Sequence, residues 1–88
     1  MREITIDCAA ISGMTQLQEV LARELSFPEW YGGNLDALYD CLTAIAEETH
    51  LCLRHFDALG RYQQALRWVF QDAQEANPRL HICLPEES

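Results

Sequence analysis

Ser26-Phe27-Pro28-Glu29-Trp30-Tyr31-Gly32-Gly33-Asn34 decides how this chain folds. Ahead of it, Leu17, Val20, Leu21 and Leu25 recur at helical spacing, and Thr15 precedes Gln18 by three residues in a capping-box pattern. These features predict a first helix over about 15–25. Pro28 is expected to stop it, because proline disfavours helical backbone in the residue before it. Gly32-Gly33 permits backbone angles closed to other residues. Asn34 is a good N-cap, so a second helix is predicted to run from it to about Ala46. The stretch therefore joins two helices.

What lies on either side makes this a crossover. Residues 2–7, Arg-Glu-Ile-Thr-Ile-Asp, alternate polar and apolar and read as a strand. Residues 50–54 read as a second strand. Phe56 to Gly60 suggests a turn or short helix. Arg61 to Ala76 reads as a long amphipathic helix with Tyr62, Ala65, Leu66, Val69 and Ala73 inward, ended by Asn77-Pro78. Leu80 to Leu84 is the last predicted strand, with a loose tail from Pro85. The order is β-α-α-β-(α)-α-β. Helical connections between strands favour a parallel sheet with right-handed crossovers. The expectation is one α/β domain over residues 1–88: a three-stranded parallel sheet packed with three to four helices.

Composition narrows the function. Fourteen Asp and Glu stand against six Arg and no Lys, giving a net charge of −8. Such a surface repels nucleic acid, whose binding needs cations, and attracts basic partners. Cys8, Cys41, Cys52 and Cys83 form no C-x-x-C pair and each lies beside aliphatic residues. They are expected to be buried free thiols in a reducing compartment. Closely spaced ligand pairs are absent, so no zinc site is expected, and no cofactor. His50 and His81 are expected to border strands and His55 to lie in a turn. No apolar signal segment follows Met1-Arg2-Glu3 and no stretch could span a membrane, which suggests a cytoplasmic protein.

On the second helix, at about 100° per residue, Leu35, Leu38, Cys41, Leu42 and Ile45 form one broad apolar face. Asp36, Tyr39, Asp40 and Thr43 fall within an arc of about 100° on the opposite side. Asp36 suits the positive end of the helix dipole. Asp40 sits mid-helix, where Asp is a poor helix former, and four residues from a like charge. A face chosen for stability alone would more often carry a cation there. Trp30 and Tyr31 precede this face, and exposed aromatics beside charge are a common interface pattern. Tyr31 is expected to be partly buried and Trp30 more exposed.

The run from Leu25 to Thr43, with its P-E-aromatic-Y-G-x-N-L-D-A-L-aromatic-D-C-L-T pattern, resembles the signature of the barstar family. The likeness extends to the N-terminal strand, the first helix, Val69-Phe70-Gln71-Asp72-Ala73 and the last strand. The resemblance implies three parallel strands packed with helices. It also implies inhibition, inside the cell, of a secreted, basic, guanine-preferring microbial ribonuclease. It implies that Asp40 is the central anion in the nuclease site and that Asp36 pairs with a second cation. Trp30 would stack near the catalytic histidine, and Gly32 would allow close backbone approach. Asn34, Leu35, Tyr39 and Thr43 would complete the surface, and Asp72 would add an ion pair. Relative to the best-known member, the aromatics at 30 and 39 are exchanged, and the 55–61 segment is shorter.

Two other readings compete. One is an immunity protein or antitoxin for a basic toxin that is not a ribonuclease. The other is an enzyme using Asp36 and Asp40 as an acid–base pair, but nothing in the sequence sets their environments apart as such a pair needs. No catalytic residue is therefore assigned. The free protein is expected to be a monomer.

Overall fold

The computed structural model describes residues 1–29 and 31–84. The elements follow in the order β1 (Arg2–Asp7), α1 (Met14–Glu24), α2 (Leu35–Thr43), β2 (Thr49–Arg54), α3 (Gln63–Ala76) and β3 (Leu80–Cys83). Short 3-10 turns at Cys8–Ala10 and Phe56–Tyr62 follow the first two strands. The expected tail, 85–88, lies outside the described residues.

The sheet is three-stranded and parallel, in the order β1-β2-β3. This agrees with the fold read from the sequence. Each connection moves one strand in the same direction across the sheet. Right-handed crossovers therefore place all the helices on one side. The strands show it: Ile6, Leu51, Leu53 and Leu80 are buried, whereas Glu3, Thr5, Asp7, His50, Arg54, His81 and Cys83 are exposed. Parallel sheets usually carry helices on both faces. Here one face stays open, which is why the strands alternate rather than running continuously apolar.

On the covered side, Leu17 and Leu21 of α1, Leu38 and Leu42 of α2, and Leu66 and Phe70 of α3 close the core. Phe70 is fully buried although it falls outside the inward set expected for α3. The buried seam is Leu66, Phe70 and Ala73, and Tyr62, Ala65 and Val69 flank it half-buried. The cysteines divide by face. Cys8 and Cys41 are buried as expected, but Cys52 is half-buried and Cys83 exposed. Both of these point to the open face, where aliphatic neighbours in sequence say nothing about burial.

The ends of α1 and the end of α2 differ from the sequence reading for identifiable reasons. Thr15 does not cap α1. The N-cap is Gly13, without a side-chain bond. Gln16 instead accepts hydrogen bonds from the Ser12 amide (2.6 Å) and hydroxyl (2.7 Å), and Gln18 is buried. At its other end α1 stops before Pro28 acts. Ser26 turns left-handed at φ 56°, and the Phe27 amide donates back to the Ala22 carbonyl at 2.9 Å. Finally, α2 ends at Thr43 rather than Ala46. The side-chain amide of buried Asn77 donates to the carbonyls of Leu42 (2.9 Å) and Ile45 (3.0 Å). These carbonyls are satisfied from the end of α3, so the helix has no need to continue.

Candidate partner-binding face

The candidate face is built on α2 and the loop before it. Asn34 caps α2 as expected, its side-chain oxygen accepting from the Ala37 amide at 2.7 Å. Gly33 adopts φ +74°, a left-handed angle that favours glycine. The sequence reading gave both glycines this freedom, and Gly33 is the one that uses it. Gly32 is exposed at the start of the turn.

Tyr31 ties this loop down. It is half-buried, packs edge-on against Phe27 (ring centroids 5.0 Å apart) and donates its hydroxyl to Gln18 on α1. Burial, then the neighbouring Cys41, pushes its phenol up to about 12, so it stays neutral. Gln18, expected in a capping box, instead accepts from Tyr31, and of the paired glycines it is Gly33 that takes the left-handed angle. The helical spacing of Gln18 with Leu21 and Leu25 was the available signal. Trp30 lies outside the described residues.

The apolar side of α2 is anchored as expected. Leu38, Cys41 and Leu42 are buried, and Leu35 and Ile45 pack half-buried against the core; Tyr39, expected on the opposite face, also packs half-buried against it. Opposite them, Asp36 and Asp40 are exposed. Among the described residues, neither carboxylate enters an ion pair or a side-chain hydrogen bond. Thr43 is half-buried and spends its hydroxyl within the helix, donating to the Asp40 carbonyl at 3.0 Å. Asp72 is exposed on α3, the helix that packs against α2. No described hydrogen bond or ion pair joins it to the α2 carboxylates.

The structure thus brings Gly32, Asn34, Leu35, Asp36, Tyr39, Asp40 and Thr43 into one loop-and-helix unit. Asp72 stands on the adjoining helix. A core-anchored helix carries two carboxylates at i and i+4 with no counter-ion among the described residues. That geometry can present fixed anions to a cationic surface.

Fold and face together define a class: small three-stranded parallel α/β proteins whose second helix displays acidic residues. The family model described as Barstar (barnase inhibitor) matches residues 1–84. A Bacillus subtilis (strain 168) protein named "Putative ribonuclease inhibitor YrdF" is 40% identical over 80 residues, with 85% of this chain and 88% of that protein covered. The chain belongs to the barstar family. No helix among the described residues is long and apolar enough to cross a membrane.

Proposed function

We propose that this protein inhibits a guanine-preferring microbial ribonuclease by seating α2 and the 28–34 loop in its active site. The observation that carries the reading is the pair of uncompensated carboxylates, Asp36 and Asp40, on the exposed face of a helix fixed by its own core. A nuclease site gathers positive charge to hold phosphate, and carboxylates held in place mimic that phosphate at low entropic cost. Membership of the barstar family supports the ribonuclease as target.

In this reading Asp40 is the central anion, meeting the cationic catalytic groups, and Asp36 pairs with a second cation. Trp30 stacks beside the catalytic histidine and Gly32 lets the backbone approach. Asn34, Leu35, Tyr39 and Thr43 form the surrounding contact, and Asp72 adds a peripheral ion pair. The protein acts as a monomer in the cytoplasm of the nuclease-producing cell, touches no nucleic acid itself, and is steered to its basic target by its −8 charge.

The test is inhibition of a purified basic, guanine-preferring ribonuclease by the parent chain and by Asp40→Ala. The parent should inhibit stoichiometrically. The variant should fail at the same concentration while melting at the parent's temperature. Equal inhibition by the two would remove Asp40 from the centre. Tight binding to a basic toxin without ribonuclease activity, coupled with no inhibition of the nuclease, would make the protein an immunity protein of another kind.

A further inference from the structure

The open face of the sheet holds a second group of residues that the acidic helix does not involve. The sequence contains two short repeats, His50-Leu51-Cys52 and His81-Ile82-Cys83, far apart in the chain. The parallel register sets them side by side: His50 opposite His81, and Cys52 opposite Cys83. Alternation along the strands sends all four side chains to the open face. The two imidazoles stack, with ring centroids 4.6 Å apart and planes 28° from parallel. Glu48, just before β2, reaches the same place, and His81 Nε2 is hydrogen-bonded to its carboxylate. One ligand atom from each of Glu48, His50 and His81 lies within 4.8 Å of the others.

We propose that Glu48, His50 and His81 form a binding site for a divalent transition-metal cation of the zinc class.

The chemistry selects the metal. Two imidazoles and one carboxylate suit zinc and its neighbours, whereas magnesium and calcium prefer all-oxygen sites. Bonds of about 2.0–2.2 Å would place the ligand atoms roughly 3.3 Å apart. Closing to that separation from 4.8 Å would have the imidazoles turn out of their stack toward a common point. His81 and Glu48 are 46% and 45% exposed, and their mutual hydrogen bond already brings two of the three ligand atoms together. Three protein ligands leave a fourth position open to water. The expectation of no metal site rested on spacing along the chain, and strand register supplies the proximity that spacing lacks.

The bound cation would tie the short edge strand β3 to β2 and to the segment before it. The cysteine pair lies one row further along the strands, outside the three-ligand group. The site sits on the sheet face opposite the helices, so the proposal stands whether or not α2 inhibits a nuclease.

Titration calorimetry of the full chain with zinc chloride, followed by imidazole NMR, tests it. Binding should be one-to-one and should shift the resonances of His50 and His81, leaving His55 in place. Thermal unfolding should move upward with zinc and not with magnesium. His50→Gln and His81→Gln, both at exposed positions, should each weaken binding by roughly tenfold or more. The double variant Cys52→Ser, Cys83→Ser should bind as the parent does. Absence of heat and of NMR shifts, an equal response to magnesium, or loss of binding in the cysteine variant alone would each overturn the assignment.

Discussion

The outer face of α2 and the open face of the sheet are both polar and both exposed, yet they treat charge in opposite ways. On and around the sheet several ionisable groups find partners within the chain. Arg2 meets Glu47 at 3.1 Å, Asp7 meets His55 at 2.9 Å, and Glu48 meets His81. The Asp7 carboxyl is held below its ordinary value by the His55 bond and the Ala9 amide. On α2, Asp36 and Asp40 stand without partners among the described residues, four positions apart on one helix, where like charges repel. Asp36 gains from the helix dipole, but the fold gives Asp40 no such return for its like-charged neighbour. The comparison separates charge that the fold answers from charge that, among the described residues, it leaves open on α2, as the proposed role requires.

The largest expected effect breaks that comparison at its strongest point. Replacing Asp40 by Ala should weaken binding to a cognate nuclease by about 3–5 kcal/mol, since the partner's cation is left buried and unpaired. That is at least a hundredfold in affinity, roughly, read by titration calorimetry. An unchanged melting temperature in the free variant would show that the charge was never part of the fold.

A second substitution tests the support beneath the face. Asn77→Ala removes the donor shared by the Leu42 and Ile45 carbonyls and should cost about 1–3 kcal/mol in urea unfolding. Affinity should fall less than stability does.

Tyr31 sharpens the contrast through pH. Its phenol ionises near 12 in the folded protein against an ordinary 10. Its contribution is whole below pH 10 and is lost as pH rises toward 12. Urea unfolding at successive alkaline pH values should show the parent losing stability faster than Tyr31→Phe over that interval. Parallel curves would remove the burial argument for the loop.

The smallest effect belongs to the sheet side. Glu47→Ala breaks an exposed ion pair and should change stability by less than about 1 kcal/mol. Ribonuclease inhibition should stay at the parent's level.

Much of the fold was legible because it rests on local signals. The alternation of residues 2–7, the Asn34 cap and the helical spacing around Leu17 and Leu38 are all short-range. What was hidden depends on residues distant in sequence. The end of α2 is set by Asn77, 35 positions beyond Leu42. The start of α1 turned on a local competition that Gln16 won over Thr15. The exposure of Cys83 follows from all the helices sharing one side of the sheet, a property of topology rather than of neighbours. For the site, periodicity alone put Asp36 and Asp40 on the solvent side. It could not show that no cation answers them, because that needs every other element in place. The meeting of His50 with His81 needed strand register in the same way.

Asn77 also bears on when the protein becomes competent. Chains emerge from the ribosome N-terminus first, and domains complete themselves as units. Asp36 and Asp40 are made well before the amide that secures the end of their helix, which belongs to a residue 35 positions beyond Leu42. A nascent chain that has not reached Asn77 carries both carboxylates on an unfinished support. A chain terminated before Asn77 would show the acidic motif without the bonds that hold the end of its helix.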